Sequence, residues 1–519
     1  MVFSSLSFIY IFLLILISTH AFCHGTRARN WLLLGFSLCF YAWGEPIWII
    51  VMLLESVIAW SFTALINREA ERLEADLPET QHLQINQYPP LVHFYLTFAI
   101  GSCIAFLLIF KYSAFFADCI NTIPFIQIPR PNLRLPIGIS FYTFQIITYV
   151  VDVYRRDAKV QRNYFNFLLY VSLFPQLIAG PIVRYADIDA QIRQRFISSE
   201  KVVSGIQRFL VGLAKKTLIA NYAGQIVHQS LETRLSQLTG LEALIGLLAY
   251  TAQIYFDFSA YSDMAIGLGR IFGFDFLENF NYPYISKSIT EFWRRWHMSL
   301  STFFRDYVYI PLGGRYRHQL RNIFIVWLLT GFWHGASVNF ILWGLYYAIL
   351  LCIEKYLLKD ILPKIPSLIR HTATMILVCL GWIFFYFTDF SRMGEFFHVL
   401  FSANGFSNAL AIASIRSQLV FLLLAAIAAT PLPKQTFKTI SQFVWRKYGS
   451  IEDPQKQLFK DREDARFGKT YLLATERAYD HRAAQIQFVY ILISNLLLLL
   501  LSTAALVSAS YNPFLYFRF

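Results

Sequence analysis

The stretch NIFIVWLLTGFWHGASVNFILWGLYYAILLCI (residues 322–353) contains thirty-two residues and no Asp, Glu, Lys or Arg. A helix of this length is about 48 Å long at about 1.5 Å per residue, whereas the hydrocarbon core of a bilayer is about 30 Å thick. The segment is therefore too long for one upright crossing, and it must either tilt steeply or bend. We expect a bend near Gly335, because Gly331, Gly335 and Ala336 also allow helices to approach closely.

His334 lies near the middle of this apolar segment. In a helix it would lie about 20 Å from Arg321, the last charged residue before it. A group that can ionise at this depth is costly and is a functional candidate by default. A neutral imidazole that is hydrogen-bonded to a neighbouring helix explains the residue equally well when this segment is considered alone.

The composition of the whole chain is that of a membrane protein. Hydrophobic residues make up 56% of the 519 residues, charged residues 15%, and the mean hydropathy is +0.47. This balance predicts an all-α, polytopic integral membrane protein. The run at 31–43 is too short to cross comfortably and is followed by Gly44-Glu45-Pro46, so it is a candidate re-entrant segment. The clearest apolar runs are 3–22, 31–43, 47–66, 91–110, 164–180, 241–256, 322–353, 369–388, 417–431 and 486–509.

The net charge of +13 comes largely from loops between apolar runs. Residues 182–216 and 287–321 each carry seven Lys or Arg, which predicts that both lie on the cytoplasmic face near anionic lipids. Residues 3–22 lack a basic leader, and Arg27 and Arg29 follow them, so we expect an uncleaved first helix with its N-terminus outside. The pattern indicates contact with membrane lipids and no nucleic-acid binding. The six cysteines show no metal-ligand spacing and predict neither a metal site nor disulfides.

The segment Ser288–Leu312 has the pattern of an amphipathic helix. On a helical wheel its large apolar side chains fall within one arc, and His297 lies at the edge of that arc. We therefore predict a helix at the membrane interface with His297 facing a polar opening. An ordinary interfacial helix with a solvated His297 explains the same pattern.

Residues 255–263 close another apolar run with two carboxylates and several hydroxyls. Ser259 and Asp263 are four residues apart and would share a helix face. Asp257 could orient an imidazole or an acceptor hydroxyl. A structural role, such as pairing with the arginines of 294–305, is the alternative.

Together these segments resemble the membrane-bound O-acyltransferase (MBOAT) family. The resemblance is carried by YFDFSAYSDMAIGLGRIFGFDFLENFNYPYISKSITEFWRRWHMSLSTFFRDYVYIPLGG (255–314) and GFWHG (331–335). The stretches LPIGISFYTFQ (135–145) and FPQLIAGPIVRY (174–185) are similar to the bacterial branch of the family that modifies alginate. The resemblance covers about residues 1–355.

The resemblance implies a ring of tilted helices, about 10–13 membrane segments with some re-entrant, around a thin core with a trans-membrane tunnel. It divides the chain into an MBOAT-like catalytic core (1–355) and further transmembrane helices (356–519) with a polar cytoplasmic insertion at 432–485. The family's near-invariant histidine falls on His334, and its second site position falls on His297. Many lipid-acylating relatives have Asn at that second position, so the histidine favours a polysaccharide-modifying enzyme.

The family's chemistry is acyl transfer from a thioester to a hydroxyl. Imidazole can take the hydroxyl proton near pH 7, so we assign His334 as the general base and His297 as the residue on the donor side. Arg315 and Arg317 join a group of basic residues that could meet the phosphates of the donor, although the positive-inside rule explains them equally well. Candidate supporting or substrate-binding residues are Asp257, Trp293, Trp296, Trp333, Arg294, Arg295 and Arg305.

The function that the resemblance implies is transfer of acetyl from cytoplasmic acetyl-CoA toward hydroxyls of a secreted or cell-surface polysaccharide. It also implies a secreted acetyltransferase-like partner protein, no permanently bound cofactor, and a place in the bacterial inner membrane. Two alternatives keep the fold and change the substrates: D-alanyl transfer to a teichoic acid, and acetylation of peptidoglycan. A non-enzymatic alternative is a transporter or export scaffold with His334 as a proton relay.

Overall fold

The computed structural model describes residues 2–76, 85–401, 404–448, 481–508 and 515, and within these ranges the chain is helical with no β-strand. The prediction of an all-α membrane protein is confirmed. The predicted insertion at 432–485 begins with a helix, and its residues 449–480 lie outside the described residues. The main helices are α1 Phe8–Phe22, α2 Thr26–Gly44, α3 Ile49–Ala75, α4 Pro90–Ile120, α5 Ile139–Tyr154, α6 Tyr164–Ser172, α7 Tyr185–Arg193, α8 Ser199–Ala214, α9 Asn221–Val227, α10 Gly240–Ile271, α11 Ile289–Arg295, α12 Met298–Phe304, α13 Gln319–His334, α14 Val338–Leu357, α15 Ser367–Tyr386, α16 Phe390–Leu400, α17 Ala409–Ala428, α18 Leu432–Tyr448 and α19 His481–Ser508.

Seven of the helices in the described ranges are long and apolar enough to cross a membrane: α3, α4, α10, α14, α15, α17 and α19. The helix α1 is apolar but shorter. Several apolar runs of the sequence belong to shorter helices that pack inside the protein. The chain is therefore a multi-pass membrane protein in which part of the apolar sequence faces protein and not lipid.

The run at 164–180 is the clearest example of an apolar run that faces protein and not lipid. It does not form one helix, because α6 ends at Ser172 and Leu173 adopts an extended conformation before Pro175. Nine residues of helix rise about 14 Å, less than half of a bilayer core. Residues 167–183 are buried, so this run is apolar because it forms protein core. The run at 31–43 belongs to α2, which ends at Gly44 where the sequence predicted a break.

The predicted bend in residues 322–353 is confirmed. The helix α13 ends at His334, Gly335 is extended, and α14 begins at Val338, so the two helices form a tight hairpin. At Gly331 an added Cβ would overlap the carbonyl oxygen of Phe340, and at Gly344 it would overlap that of Trp327. The two glycines therefore allow the backbones of the hairpin to touch.

The prediction of one continuous helix over 288–312 is wrong. The helix α11 ends at Arg295, Trp296 is extended, His297 is left-handed with φ 44°, and α12 begins at the next residue. The segment 279–281 holds this break open through two backbone hydrogen bonds of 2.9 Å, from Asn281 to Arg295 and from Met298 to Asn279. A wheel calculated over the whole segment could not show these contacts with a distant part of the chain.

The interior consists of two hydrophobic clusters. The first cluster contains Leu300, Phe303 and Trp333, and the second contains Trp296 and Trp343. The chain passes from the second cluster to the first at His297, and back again at His334. The helix α10 spans both, with residues up to 256 in the second cluster and residues from 261 onward in the first. Both histidines therefore lie at the boundary between the clusters.

The helix α5 is short and has polar residues near both ends. Ser140 lies in its first turn and Asp152 in its last, about 18 Å apart at 1.5 Å per residue. Near the Asp152 end the two basic segments meet, with Arg184 Nη1 3.1 Å from Asp306 Oδ2. The two basic segments therefore lie on the same side of the protein, as the charge pattern predicted.

Candidate active site

His297 and His334 both contact one aromatic ring. The centroid of the Trp333 indole is 5.8 Å from that of the His297 imidazole and 4.8 Å from that of His334. Both histidines are buried, with 1% and 6% of their surface exposed. The structure thus brings together two residues that are 37 positions apart in the sequence (334 − 297).

The orientation of His297 is fixed by Asn279. Nδ1 of His297 lies 3.1 Å from Oδ1 of Asn279, and the same oxygen accepts hydrogen bonds from the backbone N–H of Ser299 at 3.2 Å and from its hydroxyl at 2.9 Å. Because a backbone N–H can only donate, the atom facing it is the amide oxygen, and Nδ1 of His297 must carry the hydrogen. Nε2 then holds a lone pair, and it has no hydrogen-bond partner among the described residues.

Aromatic rings surround His334. Its imidazole meets Trp343 and Phe385 edge to face, with centroids 5.0 and 5.1 Å away. Its Nδ1 has no hydrogen-bond partner within the described part of the chain. An imidazole held in this way can accept a proton from a hydroxyl that enters beside it.

A cavity of about 100 Å³ adjoins His334. Part of its wall is the loop before α5 and the first turn of that helix (residues 135–141), which lie in the stretch 135–145 that carries part of the family resemblance. Gly138 is left-handed at φ 79°, and a Cβ there would come within 2.7 Å of the Leu177 carbonyl oxygen, so the loop needs glycine at this point. The other lining residues are Lys111, Ile178, Trp333 and His334.

The three predicted tryptophans have different environments. Trp333 contacts both histidines, as described above. Trp293 packs in the second cluster against Trp327 and Tyr347, each 4.7 Å away between centroids. Trp296 packs against Trp382 at 4.8 Å. Trp293 and Trp296 therefore fix the position of the chain break at His297 from one side, and neither lines the cavity beside His334.

Asp257 lies at the boundary between the clusters, and its carboxylate is occupied by other groups. Oδ1 is 2.6 Å from Nζ of Lys216, and Oδ2 accepts a hydrogen bond from the backbone N–H of Leu515 at 2.7 Å. The second carboxylate of this run, Asp263, pairs with Arg208 and Lys215. The structure thus favours the structural alternative for both, with bases other than the arginines of 294–305.

The predicted basic residues Arg294, Arg295 and Arg305 differ in whether a carboxylate pairs with them. Arg295 pairs with Glu291 at 2.9 Å and Arg305 with Asp306 at 2.7 Å. Arg294 is exposed and has no carboxylate within 4.0 Å among the described residues. Of these three, Arg294 is the one whose charge is available to an anionic ligand.

Two residues of the site were missed by the sequence reasoning. Asn279 lies inside the stretch that carries the family resemblance, but nothing local marks it as a partner of His297. Lys111 follows the apolar run 91–110 directly, so it reads as the residue that ends a membrane segment. In the structure it lines the same cavity as His334.

Residues 36–393 match the family model described as MBOAT, membrane-bound O-acyltransferase family. The chain belongs to the membrane-bound O-acyltransferase family. Both histidines lie inside the matched range. The predicted enzyme class is confirmed: this MBOAT protein is an O-acyltransferase, which takes an acyl group from an acyl donor.

Individual relatives differ in how much of the chain they match. The chain is 37% identical to the probable alginate O-acetylase AlgI of Azotobacter vinelandii, over 100% of both proteins. It is 33% identical to the peptidoglycan O-acetyltransferase of Helicobacter pylori, over 58% of this chain and 64% of that protein. It is 31% identical to the teichoic acid D-alanyltransferase of Bacillus subtilis, over 53% of this chain and 74% of that protein. The first relative thus matches the whole chain, and the other two match a little more than half of it.

Proposed function

We propose that this protein moves an acetyl group from cytoplasmic acetyl-CoA across the bacterial inner membrane toward hydroxyls of a secreted polysaccharide of the alginate type. The observation that carries this proposal is the buried pair His297 and His334, which both contact Trp333, with a small cavity beside His334. No permanently bound cofactor is needed, because the acetyl group arrives on its donor.

The choice of acceptor rests on the extent of the similarity. The alginate O-acetylases match this chain from end to end, including the region beyond the MBOAT core, whereas the peptidoglycan and teichoic acid enzymes match about half of it. Since the shared core is where the acyl chemistry takes place, the region beyond it is the part that fits a particular acceptor or partner. A secreted acetyltransferase-like partner protein completes the delivery to the polymer in this proposal.

In the proposed mechanism His334 is the general base. It takes the proton from the acceptor hydroxyl as the hydroxyl oxygen attacks the thioester carbonyl. The tetrahedral intermediate then collapses, the bond to sulfur breaks, and the thiolate takes the proton from His334. His297, whose Nε2 lone pair is left free by the bond to Asn279, accepts a hydrogen bond from an N–H of the donor and so positions the thioester.

The geometry of the fold supports a donor from the cytoplasm. The basic segments meet near the Asp152 end of α5, and the cavity lies at the Ser140 end, about 18 Å away. This distance is shorter than the bilayer core, so the flexible arm of a coenzyme could carry an acetyl group to His334 from the basic side. In this proposal the exposed Arg294, whose charge no described carboxylate pairs with, meets the phosphates of that donor.

The test is a transfer assay in inverted membrane vesicles that contain the protein and a co-expressed secreted partner. Labelled acetyl-CoA is supplied on the cytoplasmic side, and label is followed into the polymer or the partner. His334→Ala is expected to abolish transfer at equal expression, and His297→Ala to reduce it strongly, while His398→Ala, which changes an exposed histidine on α16, serves as the matched control.

Each outcome has a distinct meaning. If His334→Ala transfers label as fast as the wild type, the role of general base is wrong. If the wild type transfers nothing from acetyl-CoA but transfers D-alanine from a carrier-protein thioester, the donor and acceptor of the teichoic acid enzymes replace the proposed ones.

A further inference from the structure

Two consecutive residues of α4 hold the end of α13. The Tyr112 hydroxyl donates a hydrogen bond to the carbonyl oxygen of Phe332 at 2.6 Å, and Lys111 Nζ donates one to the carbonyl oxygen of Trp333 at 2.5 Å. Both residues belong to a π-helical turn, Leu108–Tyr112, a distortion that is frequent at functional sites. The turn thus brings a cation directly against the carbonyls that precede His334.

The charge of Lys111 is not balanced by a carboxylate. No Asp or Glu of the described residues lies within 4.0 Å of its Nζ, although ammonium groups buried in a membrane are costly. Lys216, a fully buried lysine, is by contrast paired with Asp257 at 2.6 Å. Nζ of Lys111 instead donates a hydrogen bond at the carboxyl end of α13, whose carbonyls carry partial negative charge. It also donates to the Ser140 hydroxyl at 3.3 Å.

An ammonium has three N–H donors, and these two contacts use two of them. Lys111 lines the cavity beside His334, so the third donor is available to a ligand there. The cavity of about 100 Å³ has room for on the order of three water molecules at about 30 Å³ each. It can therefore hold a group of the size of an acetyl unit.

We propose that Lys111 is a further catalytic residue, which stabilises the negative charge that develops on the acyl carbonyl oxygen during transfer at His334. This inference rests on the proposed function. As the acceptor oxygen attacks the carbonyl carbon and His334 takes its proton, the carbonyl π electrons move to the oxygen, and Lys111 donates its third N–H to that oxyanion. The electrons return when the carbon–sulfur bond breaks, and the thiolate takes the proton from His334.

The test compares Lys111→Met, Lys111→Arg and Tyr112→Phe in the vesicle assay, with kcat and KM for acetyl-CoA measured at equal protein levels. Lys111→Met keeps the length of the side chain and removes the charge and its donors. It is expected to lower kcat by about 100-fold or more with little change in KM, as loss of an oxyanion donor does. The kcat of Lys111→Arg should be at least about tenfold higher than that of Lys111→Met.

Tyr112→Phe is the control for a purely structural role, since it removes the neighbouring hydrogen bond to the same helix end and leaves Lys111 in place. It is expected to keep kcat within about threefold of the wild type. If Lys111→Met and Tyr112→Phe lower kcat equally, Lys111 only caps α13 and the inference is overturned. A change in KM alone, or no change for Lys111→Met, also overturns it.

Two further outcomes separate this inference from the proposed function. If Lys111→Met does not accumulate in membranes, Lys111→Gln replaces it, because an amide can still donate to the Trp333 carbonyl without carrying charge, and its loss of kcat is expected to exceed that of Tyr112→Phe. If the wild type is inactive with acetyl-CoA but active with another acyl thioester, the donor assignment fails while the comparison of the Lys111 variants, run with that donor, still decides the inference. Inactivity of the wild type with every thioester overturns both.

Discussion

The side chain of Asn279 accepts a hydrogen bond from Nδ1 of His297 at 3.1 Å, across a break between two short helices. Asn279 is fully buried, and the backbone N–H of Ser299 fixes the orientation of its amide. This contact decides which nitrogen of His297 is free. The left-handed backbone of His297 places the ring where it meets both Asn279 and Trp333.

Replacing Asn279 by Ala is therefore expected to impair His297 without touching the substrates. The change frees the ring to rotate and leaves the Nδ1 donor without a partner, and kcat for acetyl transfer should fall about 10- to 100-fold, as when an orienting partner of a histidine is lost. Asn279→Asp keeps an acceptor at the same place and should retain more activity than Asn279→Ala. Equal kcat for wild type and Asn279→Ala would show that the orientation of His297 is unimportant.

The hairpin between α13 and α14 should not tolerate a side chain at Gly331. An added Cβ there overlaps the backbone of Phe340, so the helices must separate, and we expect a loss of about 1–3 kcal/mol or more in the free energy of unfolding. The readouts are the amount of protein in the membrane and the thermal midpoint in detergent. Gly101→Ala, in α4, is the matched control because a Cβ there meets nothing within 4 Å. A Gly331→Ala protein as stable as the control would contradict the close contact.

Asp257 is expected to affect stability more than acetyl transfer. Both Asp257 and Lys216 are about 3% exposed, so Asp257→Asn leaves a buried ammonium without its counter-charge and should cost about 3–5 kcal/mol. A double variant, Lys216→Met with Asp257→Leu, should recover much of this loss. Asp118→Asn, which breaks a half-exposed pair with Arg130, is expected to cost less than about 1 kcal/mol. The comparison uses thermal midpoints, and a folded Asp257→Asn protein with normal stability but no activity would instead place Asp257 in the chemistry.

Arg294 is expected to influence binding of the donor. Since Arg295 and Arg305 are paired with carboxylates, removal of the Arg294 charge should raise KM for acetyl-CoA several-fold and leave kcat unchanged, and the difference should shrink at high salt. Arg130→Gln removes the same charge from an exposed loop after α4, and its KM should equal that of the wild type. An unchanged KM for Arg294→Gln would remove this residue from the donor site.

The features that could be predicted are those encoded by neighbouring residues. The apolar segment around His334, its length and its glycines were enough to predict a buried histidine at a bend, because helix length and backbone contact depend on local sequence. The family resemblance assigned His297 and the enzyme class.

The features that were missed depend on distant contacts. Asn279 is 18 positions from His297, and Lys111 is 222 positions from Trp333, so no periodicity relates them. The helix predicted over 288–312 failed for the same reason, because backbone bonds from 279–281 hold the break at His297. The run at 164–180 was counted among the clear apolar runs because an apolar sequence buried in protein resembles one that faces lipid.

Because both histidines lie at the boundary between two hydrophobic clusters, the enzyme can lose its activity before it loses its helices. Trp333 belongs to the first cluster, whereas Trp343 and Phe385 belong to the second, so the surroundings of His334 depend on how the clusters fit together. A detergent that loosens this fit can separate the two imidazoles while every helix stays intact. Circular dichroism would then report a folded protein after acetyl transfer had already been lost. The purification should therefore be monitored by measuring acetyl transfer and not by measuring helix content.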